Sequence, residues 1–278
     1  MNTATTALLR LLALVLVCVV ALQLTFAARV ALMAVVDPQS TTFQRSEAWR
    51  LLVEKHQLLW SQEWVPYERI SASLKRAVIA SEDAGFTEHS GVEWDALEKA
   101  WERNQQAEAR VDKINARIER QQPKAGAARP TANAAANAAA NISANGAAKP
   151  AAKVTPKVVG GSTITQQLAK NLFLGGERTL LRKAQEFAVT FMLEAFLTKQ
   201  RILEIYLNNV EWGEGVFGAE AASRHYFRVP ASNLGALQAA QLAVMLPAPK
   251  RFEKRPGSGY VMGRAGTVSA RMGAVEPP

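Results

Sequence analysis

The chain has 278 residues, 49% of them hydrophobic, which is enough apolar material for one large domain or two small ones. Thirty-three Lys and Arg against 24 Asp and Glu leave a net charge of +9, a surplus that either serves solubility or points to an anionic partner such as nucleic acid, a phospholipid surface or a phosphorylated substrate. The single cysteine, Cys18, excludes an intrachain disulfide, and three scattered histidines (His56, His89 and His225) speak against a His-rich metal site.

Arg10 and Arg29 bracket eighteen residues without a charge, LLALVLVCVVALQLTFAA, and the apolar character continues to Val36. That is about the length needed to cross a bilayer core, so residues 11–36 are expected to form a transmembrane anchor. A cleaved signal peptide ending near Thr25–Ala27 is the rival, but the run exceeds a usual signal core. The two arginines flank the span almost symmetrically and leave its orientation open. Residues 37–70 read as a polar approach with a short helix around SEAWRLL and a loop at WVPY. From Ile70 onward helical periodicity dominates and no persuasive β-alternation occurs, so the fold class is mostly α.

The pattern breaks at about 104–157. Residues 107–120 read as a highly charged, solvated helix, and the chain then runs into PTANAAANAAA and AAKPAAK. Ala, Asn, Pro and Lys alone cannot bury enough apolar surface to offset ordering entropy, so 122–155 is expected to be a disordered insertion inside one domain. Helical segments then follow at TITQQLAKNLF, TLLRKAQEFAVTFMLEAFL, KQRILEIYLNNV and NLGALQAAQLAVML, with a last one near Tyr260–Met272.

Two stretches carry candidate chemistry. SEDAGFTEHSG (Ser81–Gly91) places Glu82 and Asp83 at the end of an amphipathic helix, where the helix dipole disfavours a carboxylate by roughly 0.3–1 kcal/mol. GGSTITQQLAKN (Gly160–Asn171) begins a helix with a glycine pair whose free N–H groups favour anions. Ser162, Gln166 and Lys170 then share one face, although Thr163 with Gln166 also forms a T-x-x-Q capping box, which leaves Gln166 a purely local role. On the next helix Arg178, Arg182 and Glu186 stack at i, i+4 and i+8 with Lys183 beside Glu186; this is either an anion-facing surface or an exposed face relieved by the Arg182–Glu186 pair. A nucleotide fold is not indicated, because the glycine-rich phosphate motifs and βαβ units are missing, and no histidine pairs with a motif serine.

In this order, SEDAGFTEHSG, GGSTITQQLAKN, RTLLRKAQE and RILEIYLNNVEWG resemble the peptidoglycan glycosyltransferase domain, over roughly 60–103 and 158–272. The absence of a transpeptidase domain makes the chain similar to the family's monofunctional biosynthetic members. The resemblance implies a lysozyme-like helical domain over 37–278, a cytoplasmic segment 1–10, and a catalytic domain on the periplasmic face of the inner membrane. It implies polymerisation of lipid II into β-1,4-linked glycan with release of undecaprenyl pyrophosphate. Glu82 matches the family's general base and Glu186 its second carboxylate. Lys170, Arg178 and Lys183 match the pyrophosphate-side cations, with Arg182 an addition, and Ser162 and Gln166 match substrate-orienting residues.

Asp83 is a secondary candidate; with Phe86 and His89 it is expected to shape the turn, and Asn208 and Gly213 are read as structural. No cofactor is required, although a divalent cation, Mg or Mn, is compatible with the second carboxylate. The implied partners are lipid II, the growing lipid-linked chain, the membrane and proteins of a division or elongation complex, and no nucleic acid. Two rivals stand beside this reading. A lysozyme-like hydrolase or lytic transglycosylase would also use one key glutamate but gives no reason for the cations. A non-catalytic, membrane-anchored cell-wall scaffold would tolerate replacement of Glu82.

Overall fold

The first element, α1 (Thr3–Leu32), is a helix whose 29 residues from Ala4 to Leu32 are long and apolar enough to cross a membrane. In this computed structural model residues 3–121, 161–177 and 179–278 are described. Most side chains of α1 up to Leu22 are exposed, whereas Val30 and Met33 are buried against the body of the protein. The helix therefore stops at Leu32, short of the expected Val36. Turn hydrogen bonds from Met33, Ala34 and Val35 replace the helical pattern, and Asp37, which precedes Pro38, is held by an ion pair with Arg201 at 2.7 Å.

The chain divides into two compact units, one made of Met1–Glu93 with Ser162–Pro278 and the other of Trp94–Gly161. In the smaller unit, α4 (Trp94–Gln121) is a long, largely exposed helix. Helix thus covers the first part of the expected 104–157 insertion and extends the charged helix expected at 107–120 in both directions; residues 122–160 lie outside the described residues.

The larger unit adds α2 (Thr42–Lys55), α3 (Ala72–Glu82), α5 (Ile164–Phe173), α6 (Leu180–Phe196), α7 (Lys199–Asn209), α8 (Ala219–Phe227), α9 (Ala236–Met245), the single turn α10 (Pro249–Phe252) and α11 (Gly259–Arg271). Side-chain caps set several starts. Ser71 accepts from the Leu74 N–H, Thr163 from Gln166, Thr179 from Arg182, Thr198 from Arg201 and Ser258 from Val261. Apolar α9 packs on α3 and α11, while α5 packs on α2, α6 and α7, and α6 also lies against α1. Trp212, Tyr206, Phe86 and Phe217 are the largest fully buried side chains.

A small sheet, absent from the sequence expectation, joins β1 (Ser61–Gln62), β3 (Val216–Phe217) and β2 (Glu211–Gly213) in that order. Ser61 pairs with Val216 in parallel, and β2 runs antiparallel to β3 with an irregular register at Glu211 and Gly213. Strands of two and three residues are too short to display the alternation that marks a strand in sequence. Asn208 stitches this region to the body. Its side chain accepts the Val65 N–H at 2.9 Å and donates to the Val65 carbonyl at 2.9 Å.

Candidate active site

Glu82 is the last residue of α3 and Asp83 its C-cap. The two carboxylates have separate surroundings. Asp83 is 4% exposed; one oxygen accepts the Ile164 N–H, the first of α5, at 2.9 Å, and the other accepts His89 Nε2–H at 2.8 Å. An acidic side chain on the N–H end of a helix is electrostatically favoured. Gly91 adds a second tie, its carbonyl accepting from the Thr163 hydroxyl at 2.6 Å. At φ +89° an added Cβ would come within 2.8 Å of Thr190 Cγ2, so a side chain is excluded there by both conformation and space. Residues 83–91 thus form the seat on which α5 starts.

Glu82 is half-buried and points elsewhere. Its Oε2 accepts from Gln167 Nε2 at 3.0 Å, and Gln167 Oε1 accepts from the hydroxyl of fully buried Tyr206 at 2.9 Å. Burial pushes the Glu82 carboxyl above its ordinary value; the Gln167 hydrogen bond opposes that rise and the neighbouring Asp83 charge adds to it. Removal from water is the largest cause of the rise.

Gln167 was not among the residues expected from sequence. Gln166 was, but it is 1% exposed and turned back on the cap: its Oε1 accepts the Thr163 N–H at 3.0 Å, completing the capping box. Its Nε2 has no hydrogen-bond partner among the described residues. Once the cap claims Gln166, the next amide in the T-Q-Q run is the one free to reach across, and that was the available signal. Ser162 is exposed, one residue before the cap.

Lys170 stands one turn beyond Gln167 on α5, spacing that puts both on one face. On α6, buried Glu186 is held by two cations, Arg182 Nη1 at 2.9 Å and Lys183 Nζ at hydrogen-bond distance. Lys170 belongs to this group electrostatically. Crowding by the surrounding protein lowers its proton affinity, Glu186 counteracts this, and Arg182 and Lys183 lower it further, although its chain is solvent-exposed. Three cations around one carboxylate leave a formal surplus of positive charge, and Arg182 Nε is buried without a hydrogen-bond partner among the described residues. Lys170 and Arg182 open onto one pocket of ≈ 350 Å³, whose wall also carries Phe43, Ser46, Leu174 and one carboxylate, Glu177. Arg178 lies outside the described residues.

The residues do not suit a resident divalent cation. Both oxygens of Glu186 already face cations, so a metal would have to displace Arg182 or Lys183. Asp83, His89 and Glu93 cluster closely enough to suggest ligation. Yet His89 Nδ1 accepts the Gly91 N–H at 3.1 Å, which obliges Nε2 to carry the proton it donates to Asp83. No ring lone pair is left for a metal.

A half-desolvated carboxylate and an anion-seeking cation group thus meet one face of α5 a turn apart, an arrangement suited to an enzyme of the group-transfer class. The chain belongs to the transglycosylase family, whose model matches residues 53–113 and 139–273. It is 45% identical over 258 residues to the biosynthetic peptidoglycan transglycosylase of Burkholderia pseudomallei, covering 93% of this chain and 82% of that protein. The proteins of the same name from Burkholderia lata and Burkholderia multivorans are 45% and 44% identical over the same length, with 86% of each covered.

Proposed function

We propose that the chain is a peptidoglycan glycosyltransferase of cell-wall synthesis that polymerises lipid II. The observation that carries this reading is the placement of Gln167 and Lys170 one turn apart on α5, the first bonded to Glu82 and the second grouped with Arg182, Lys183 and Glu186. A reaction that joins an acceptor hydroxyl to a sugar and expels a pyrophosphate needs both a base and a cationic cradle.

In this reading Glu82 takes the proton of the acceptor's 4-hydroxyl. The freed oxygen attacks the anomeric carbon of the lipid-linked donor, and the bond from that carbon to the pyrophosphate breaks. The configuration inverts to a β-1,4 link and the electron pair leaves on undecaprenyl pyrophosphate. Lys170, Arg182 and Lys183 hold the developing charge, with Arg178 completing the expected set, and Glu186 keeps Arg182 and Lys183 in position. The cations supply the charge neutralisation a metal would otherwise bring. The apolar helix anchors the enzyme beside its substrate, in the inner membrane with the catalytic domain in the periplasm.

The test is incubation of purified protein with labelled lipid II, comparing wild type with Glu82→Gln. Glycan strands from the wild type alone are expected. Strands from both proteins would remove Glu82 from the base role. Fragments released from preformed peptidoglycan without lipid II consumption would replace the synthetic reading with a hydrolytic one.

A further inference from the structure

Gln23, the first side chain of α1 past the free apolar stretch, forms a reciprocal amide pair with Gln185 of α6. Gln23 Nε2 donates to Gln185 Oε1 at 2.7 Å and Gln185 Nε2 donates to Gln23 Oε1 at 3.1 Å. A second point fixes the direction of α6 along the anchor, because Ala34 lines one pocket with Phe196 and Leu197. Eleven residues separate Gln23 from Ala34, and eleven separate Gln185 from Phe196. The two chains therefore run parallel and in step, and the start of α6 points back down the anchor towards the bilayer.

The length of the anchor then fixes a depth. Crossing a hydrocarbon core takes about 20 helical residues. Only Leu11–Leu22, twelve residues rising about 18 Å, lie between Arg10 and Gln23. If Arg10 stays at the inner surface, the span must run on to about Val30, which puts the Gln23–Gln185 pair well inside the outer leaflet. If the span instead begins at Thr3 and buries Arg10, Gln23 sits at the outer edge of the core. In both registers Leu180 and Leu181, four to five residues before Gln185, lie about 6 Å or more below that edge. A tilted anchor needs more residues to cross and makes the immersion deeper.

The side chains agree with this depth. Leu180 and Leu181 are 91% and 82% exposed, and nothing among the described residues covers them. Arg182 and Lys183 follow within one turn, at the level of α1 residues 20–21; in the register that begins at Thr3 this is less than one helical turn below the edge, where long cationic side chains reach phosphates at the interface. We propose that the first turn of α6 is immersed in the acyl chains of the outer leaflet, clasped to the anchor by Gln23 and Gln185, so that Arg182 and Lys183 meet a lipid-linked phosphate at its own depth. The cations' purpose rests on the function proposed above, whereas the depth stands without it.

The depth is measured on the full chain in phosphatidylglycerol–phosphatidylethanolamine vesicles. A nitroxide is attached at Leu181→Cys in a Cys18→Ser background, and its collisions with oxygen and with a water-soluble nickel chelate are compared. The Leu181 label is expected within one helical turn, roughly 5 Å, of the depth of a label at Val19→Cys. A label as open to the nickel chelate as one at exposed Ser232→Cys would overturn the proposal. Adding Gln23→Leu is expected to shift the Leu181 label towards water and broaden its distribution; an unchanged depth would remove the clasp from the proposal. Neither readout involves turnover, so failure here leaves lipid II polymerisation untouched, and failure of polymerisation leaves the depth standing.

Discussion

Gln167 donates to the Glu82 carboxylate at 3.0 Å while its own carbonyl accepts from Tyr206, so the amide is oriented before any substrate arrives. The arrangement has a sign. Burial raises the proton affinity of Glu82, and the Gln167 bond, which favours the ionised form, holds that rise in check.

Replacing Gln167 with Leu should therefore raise the Glu82 pKa further. As a base, Glu82 works only when ionised, so activity rises with pH through its pKa and the acid limb of kcat/KM should move upward. The bond to a charged group is one of the stronger hydrogen bonds, so the upward move should be resolvable. A pH profile of polymerisation measures it, and an acid limb that stays in place would mean another group titrates there.

The chemistry was more legible in the sequence than its geometry. The apolar N-terminal helix, the helices around the site and the Thr163–Gln166 cap follow from local rules of hydrophobic run length, periodicity and hydrogen-bond capping, and these act within a few residues. Gln167 escaped because its partner Tyr206 lies 39 residues away and its target Glu82 lies 85 away. The bond from Asp83 to Ile164 spans 81 residues and crosses the low-complexity stretch, so no window of sequence contains both ends. The rise at Glu82 escapes a local reading for the same reason: helix position can be read locally, but burial is a property of the packed fold.

Lys170 should govern the alkaline side. Its lowered proton affinity means that it loses its charge at a lower pH than an ordinary lysine, and with it the attraction for a pyrophosphate. Lys170→Met should reduce kcat by about 100-fold or more, the scale for losing one preorganised charge in a transition state. Lys170→Arg, which stays protonated, should recover part of that loss and move the alkaline limb upward. If Arg and Met variants behave alike across pH, Lys170 acts through shape rather than charge.

Asp83 should matter chiefly for stability, and because its charge adds to the rise of the Glu82 carboxyl, its loss should move the acid limb only slightly and downward. Asp83→Asn weakens the charge-assisted bond to the start of α5 and leaves His89 Nε2–H facing an amide. A loss of about 1–3 kcal/mol is expected, because the group is buried and its partners cannot turn to water. Chemical denaturation in detergent micelles gives the value. Lost turnover in this variant at unchanged stability would transfer a chemical role to Asp83.

Glu211 makes the opposite kind of prediction, a residue whose removal should help. It is buried on β2; its Oε1 has no hydrogen bond among the described residues, and Lys250 is 3.7 Å away. Burial pushes its pKa up to about 7 from 4.5, with the Glu47 and Glu253 charges adding to the rise and Lys250 opposing it. A carboxyl whose pKa is raised on folding is fully tolerated while protonated in both states, below pH 4.5, and its contribution to stability is lost as pH rises from there through about 7. A shift of this size corresponds to roughly 3 kcal/mol at most. Glu211→Gln cannot ionise, so its stability relative to wild type should increase between pH 5 and pH 8 by about 1–3 kcal/mol, with Glu47 and the remaining charges cancelling in the comparison. Urea denaturation of both proteins at the two pH values checks it. A difference that does not change with pH would mean that Glu211 remains ionised in the folded protein, with Lys250 drawn in to meet it.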